Sequence, residues 1–137
     1  MDSFGVFKVS SSALAAQRQR MNVIASNMAN AHTTRTAEGG PYRRQDVVFS
    51  TESVDEKTAG LEGVKVERIV KDESPLSMVY DPGHPDANPD GFVAMPNVNI
   101  IEEMVNMMMA SRAYEASVNT FNTSKAMFMK TLEIGRV

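Results

Sequence analysis

The chain has 137 residues, 42% of them hydrophobic and 23% charged, with eleven Met, no Trp, no Cys and a formal net charge of −3. That length allows one domain with one modest core, and the balance excludes a wholly disordered chain. The absence of Cys removes disulfides, thiol nucleophiles and Cys-based metal sites.

No apolar run nears the roughly 18 residues of a bilayer span, and "MDSFGVFKVS" lacks the basic and then apolar pattern of a Sec signal peptide. Export routes that use an uncleaved, amphipathic N-terminus stay open. The charge is unevenly placed: residues 1–45 carry +4, residues 46–103 carry −9 and residues 104–137 carry +2. Three segments with different jobs follow from that pattern. The basic residues are scattered, with no aromatic platform between them, so no nucleic-acid partner is expected.

Residues 4–30 read as one amphipathic helix. Phe7, Leu14, Met21 and Met28 recur every seven residues, Phe4, Ile24 and Ala25 flank that stripe, and Gly and Pro are absent from 6 to 38. Gly39-Gly40-Pro41 ends the pattern. A short strand is expected at 47–50 ("VVFS"), then a polar, mobile loop over 51–63. "VKVERIVKD" (64–72) alternates with a slip at Arg68. "LSMVY" (76–80) and "FVAM" (92–95) are strand candidates, separated by a loop with three Pro and two Gly. From Asn99 the seven-residue period returns: Ile100, Met107, Tyr114, Phe121 and Phe128 form one ladder, and Met104, Ser111, Val118, Lys125 and Leu132 another. Asn99 and Glu102 are spaced as a capping box, and Gly135 stops the helix.

The expected fold is therefore mainly α with a small β insert. It divides into an N-terminal assembly helix (1–34), a β-rich insert (35–98) and a C-terminal assembly helix (99–137). The two long helices pair as a coiled-coil-like layer in an elongated subunit. Helices of about 40 and about 54 Å cannot bury their stripes against so small a middle. They pack on each other, and the surplus surface needs other subunits.

Candidate chemistry is sparse, and no enzyme, cofactor or metal is expected. Asp86, Asn88, Asp90 and Gly91 match the first half of a calcium loop, but its twelfth position is Asn97 rather than Glu and its flanks are Pro-rich. His84 stands near Asp81 and Asp86 without a second His in reach. His32 sits at the end of the first helix as a capping or surface residue. Adjacent Glu102 and Glu103 point apart on a helix, and their expected work is at its N-terminus. Arg112 and Glu115 are spaced to pair on one helix.

"SSALAAQRQRMNVIASNMANAHTTRT" (11–36) resembles the N-terminal signature of the flagellar axial family of rod, hook and hook-associated proteins. Residues 91–135 resemble that family's C-terminal signature. Residues 34–49 and 79–87 resemble one proximal-rod member in particular. Arg35-Thr36 stand where many relatives carry Gly and an aromatic residue. The resemblance implies a structural subunit exported by the flagellar type III apparatus without a cleaved signal. It implies polymerisation into the periplasmic basal-body rod, which transmits torque and encloses the export channel. The implied partners are further copies, the B- and F-type proximal and G-type distal rod proteins, and the adaptor at the membrane ring.

The expected assembly interface comprises Leu14, Met21, Ile24, Asn27, Met28, Asn30, Met104, Met107, Tyr114, Val118, Phe121 and Leu132. Asn27 is expected to fix register at a packed seam, and Asn30 to end the helix in a left-handed or capping geometry. The rival reading is a secreted helical effector or adaptor that binds one protein through Met-rich helices.

Overall fold

The computed structural model describes residues 3–54 and 60–136. Helix α1 spans Ser3–Ala29 and helix α2 spans Ile100–Ile134, with strands β1 (Gln45–Ser53), β2 (Glu62–Lys71), β3 (Ser77–Tyr80) and β4 (Phe92–Met95) between them. The architecture is mainly α with a small β insert. The two helices lie antiparallel, because Phe7 meets Phe121 at a ring separation of 5.2 Å while Asn27 bonds Glu103 near the other end. At about 1.5 Å per residue the 27 residues of α1 reach about 40 Å and the 35 residues of α2 about 52 Å, so α2 is the longer by about two turns.

The insert holds two separate two-stranded antiparallel sheets rather than one module. The β1–β2 hairpin is longer than the expected four-residue strand. Its ladder begins at Gln45 opposite Lys71 and runs to Ser53 opposite Glu62, so the ends of the expected 51–63 loop are strand. Residues 55–59, the middle of that loop, lie outside the described residues. Val48 pairs with Arg68 but Phe49 pairs with Val66, which leaves Glu67 as the extra residue of a bulge. The alternation slip read at Arg68 is the trace of that bulge. In the second sheet β4 matches its expected span, while β3 begins at Ser77 rather than Leu76.

Helix α1 is covered on two sides, by α2 and by the β1–β2 hairpin. This explains its burial. The Phe7–Leu14–Met21–Met28 stripe is only half-buried, whereas Ala16, Val23, Ile24 and Asn27, between the two covered sides, are buried. Ser12 pins the hairpin: its Oγ accepts from the Val64 amide at 3.0 Å and donates to the Val9 carbonyl at 2.8 Å. The hairpin approaches so closely that a Cβ on Gly63 would sit 2.8 Å from that hydroxyl.

Both helix ends are specified locally. Asn99 Oδ1 accepts from the Ile101 and Glu102 amides, at 3.0 and 3.4 Å, and so caps α2. Among the described residues no bond returns from the Glu102 side chain, so the capping box is only half formed. Asn30 follows the last residue of α1. Its Nδ2 donates to the Ser26 carbonyl and its Oδ1 accepts from the Thr33 hydroxyl. Among the described residues only glycines have positive φ, so Asn30 caps without the left-handed geometry.

Candidate assembly surface and its polar anchor

One buried polar cluster ties the elements together. Asn27 is 1% exposed and Glu103 0%. Asn27 Nδ2 donates to the Gln45 carbonyl at 2.8 Å and to Glu103 Oε2 at 2.9 Å. Its Oδ1 accepts from the Gln45 amide and the Tyr42 hydroxyl, each at 2.9 Å. All four bonding positions of the amide are thereby used. An apolar replacement would strand Glu103, Tyr42 and the start of β1 at once. Asn27 thus ties α1 to both α2 and β1 within the subunit, through partners that its sequence context did not reveal.

Glu103 is the other half of the anchor. Its Oε1 accepts from Arg44 Nε at 2.7 Å. Arg44 also approaches Asp46 at 3.3 Å and Asp72 at 3.8 Å. Desolvation works against the Arg44 charge, but the hydrogen bonds and charges of Glu103 and Asp46 outweigh it and raise its pKa above the ordinary value. The Arg44 amide donates to Asn97 Oδ1 at 2.8 Å, and Asn97 Nδ2 donates to the carbonyls of Asp72 and Ser74. The cluster thus reaches α1, β1, the end of β2 and the approach to α2. Glu103 stands in the first turn of α2, as expected, and its carboxylate is in addition engaged by an internal ion pair. The missed signal was positional. Glu103, Met107, Ala110 and Tyr114 share one helix face, so an acid stood alone on an apolar stripe.

The other candidate chemistry is locally engaged. Asp86 Oδ2 accepts from the Thr34 hydroxyl at 2.9 Å, which ties the 81–91 loop to the end of α1. Asn88 Oδ1 accepts from the Asp90 and Phe92 amides, and His84 Nδ1 from the Asp86 amide. His32 is exposed. Among the described residues no three His, Cys, Asp or Glu side chains group as a metal site would require, and no ion pair joins Arg112 to Glu115.

The twelve expected interface residues divide by burial. Ile24 and Asn27 are buried within the subunit. Leu14, Met21, Met28, Asn30, Met107, Tyr114, Val118 and Phe121 are half-buried. Met104 and Leu132 are exposed, each at 52%. Phe121 and Phe128 both meet Phe7 edge-on, and Phe4 meets Phe128 at 6.3 Å. Beyond that seam α2 presents an uncovered row. Ile101, Met104, Val105 and Met108 are spaced three and four apart, and all are exposed, Ile101 at 74%. Its last turns expose Met129, Leu132 and Ile134. Both the first and the last turns of α2 thus carry apolar side chains that stand exposed in rows rather than singly. No helix among the described residues is long and apolar enough to cross a membrane.

Comparison with known proteins converges on this geometry. The profile of the flagella basal body rod protein family matches residues 7–35, and that of the flagellar basal body rod FlgEFG protein C-terminal family matches residues 90–134. These are α1 with its exit and α2 with its approach. Flagellar basal-body rod protein FlgC of Salmonella typhimurium is 44% identical, covering 99% of this chain and all of the relative. The FlgC proteins of Borreliella burgdorferi (44%, 98% of both chains) and Bacillus subtilis (43%, 99% of this chain and all of the relative) are equally similar. The chain belongs to the FlgC family, the structural rod subunits of the flagellar basal body.

Proposed function

We propose that the chain polymerises in the periplasm as a subunit of the proximal rod, and so contributes to the drive shaft that transmits torque and encloses the export channel. The observation that carries this reading is the unfinished helix pair: the first turns of α2 leave Ile101, Met104, Val105 and Met108 uncovered, and its last turns outrun α1 with Met129, Leu132 and Ile134 exposed. Neighbouring subunits supply the missing burial. The half-buried and exposed members of the interface, from Leu14 and Met21 to Met104, Tyr114, Val118, Phe121 and Leu132, then close a coiled-coil-like layer, while Ile24 and Asn27 hold its inner side. Such contacts are heterologous and need not close into a ring.

The neighbours are further copies, the B-, F- and G-type rod proteins and the membrane-ring adaptor. The chain reaches them through the flagellar type III apparatus without cleavage. Loose helix ends in the free subunit would ease that passage, since ordering is then completed only by partners. The test is a tagged full-length chain expressed in cells that lack their own rod subunit of this type. The reading expects the tag in purified basal bodies, and motility restored. A chain secreted free and absent from basal bodies would instead favour an effector or adaptor.

A further inference from the structure

The chain has eleven Met but neither Cys nor Trp. With no thiol to compete, the thioether sulfurs are its readiest sites of oxidation. Ten of the Met fall among the described residues, and exposure divides them. Met21, Met28, Met95 and Met107 are half-buried. Met78, Met104, Met108, Met109, Met127 and Met129 are between 52% and 62% exposed. All of these but Met78 lie on α2.

Three of the exposed thioethers share one stripe. At 3.6 residues per turn, Ile101, Met104, Val105, Met108 and Met109 fall within an arc of about 140° on the first three turns of α2. All five are exposed. Met107 lies outside that arc, on the face that carries Glu103 towards Asn27, and is half-buried. Shielded and open sulfurs thus stand one residue apart on the same helix.

Oxidation would change the character of the stripe. A hypohalous acid oxidises a thioether by two electrons. The sulfur takes up one oxygen as the sulfoxide, the halogen is reduced to halide, and one proton is released. The side chain keeps its reach and gains a polar acceptor. In the free subunit water solvates that oxygen, so the fold is retained. Against an apolar neighbour the oxygen would be buried without a donor, which disfavours the contact.

We infer that Met104, Met108 and Met109 form an oxidation-sensitive site. Conversion to sulfoxides in the free subunit disables the α2 stripe for assembly, burial by neighbours shields it afterwards, and methionine sulfoxide reductases restore it. The inference rests on the reading of the chain as a polymerising rod subunit, and adds the chemical state in which that subunit is competent.

The full-length free chain is titrated with limiting hypochlorous acid, and its peptides are followed by mass spectrometry. Met104, Met108 and Met109 should gain oxygen several-fold faster than Met21, Met28 and Met107. In purified basal bodies that carry the tagged chain, the same three should react about tenfold more slowly than in the free chain. Two variants are then expressed in cells that lack their own rod subunit of this type. Met104→Leu/Met108→Leu/Met109→Leu keeps apolar volume and cannot form a sulfoxide. Met104→Gln/Met108→Gln/Met109→Gln imitates the polarity of the oxidised stripe. Leu and Gln are both good helix formers, and circular dichroism checks that α2 is intact. The Leu variant should enter basal bodies as the unaltered chain does, and the Gln variant at about a tenth of that level or less. Equal oxidation of open and half-buried sulfurs, no shielding in basal bodies, or a Gln variant that enters as readily as the Leu variant would overturn the inference alone. An unaltered chain that never enters basal bodies refutes the rod reading, and the inference with it.

Discussion

At the Asn27 end of the helix pair the two helices are tied by directional bonds. At the Phe4 end they meet through ring edges with exposed flanks. The first end buries an ion pair and an amide whose bonding capacity is filled, and clamps β1 and the α2 approach in the same cluster. The second has three aromatic contacts, and α2 continues past it with Leu132 and Ile134 in solvent. A directional cluster admits one register. An aromatic, Met-rich seam admits several neighbours. One subunit therefore combines an end whose register is fixed by internal bonds with an end held by ring contacts, and exposes apolar rows for neighbours at both.

That contrast is open to attack at either end. The largest effect is expected at the anchor. Glu103→Ala takes the buried carboxylate from the Asn27 amide and from half-buried Arg44, which keeps only its contacts with Asp46 and Asp72, and should cost about 3 kcal/mol, read as a lowered urea midpoint of the full-length chain. At the open end Phe7→Ala removes a half-buried ring and its edge contacts, for about 1–2 kcal/mol, and should impair assembly more than subunit stability. Equal losses of stability from the two changes would erase the distinction. Asn99→Ala removes the cap of α2 at the anchored end and should cost about 1 kcal/mol, seen as a lower melting temperature with the helical signal of the native state retained.

The smallest effect is acid sensitivity. The Ser74 hydroxyl and amide lower the pKa of Asp72, and Lys71 lowers that of Glu38. A carboxylate depressed in the folded state stabilises it at neutral pH, and the contribution is lost as pH falls through and below the ordinary carboxylate range. Glu38 is exposed and Asp72 only half-buried, so the loss should be slight, and Asp72→Asn should remove the Asp72 share of it. An unchanged acid slope in that variant would remove Asp72 from the account.

Much of the fold was written in local signals. The seven-residue periods place both helices, Gly39-Gly40-Pro41 ends the first, Asn99 starts the second, and a broken alternation at Arg68 marks a bulge. The anchor was hidden because it is non-local: Asn27, Tyr42, Arg44 and Glu103 converge only when both helices and β1 are in place. Asn27 could be singled out as an unexpected polar group on a packing face, but its partners lie 18 and 76 residues away. The same convergence explains why the Phe7–Leu14–Met21–Met28 stripe, though correctly placed on a helix, is not its most buried row. A helix covered on two sides buries what lies between them, and periodicity alone does not reveal the second cover.

The central claim is that the helix pair is held in one register at the Asn27–Glu103 end and more loosely at the Phe4 end until neighbours cover its exposed apolar rows. Amide hydrogen exchange of the dilute full-length subunit tests this most directly. Slow exchange is predicted for 20–29 and 103–110, falling away towards 3–9 and 124–134. Uniformly slow exchange to the end of α2 would contradict the account, because the subunit would then need no neighbour to order it.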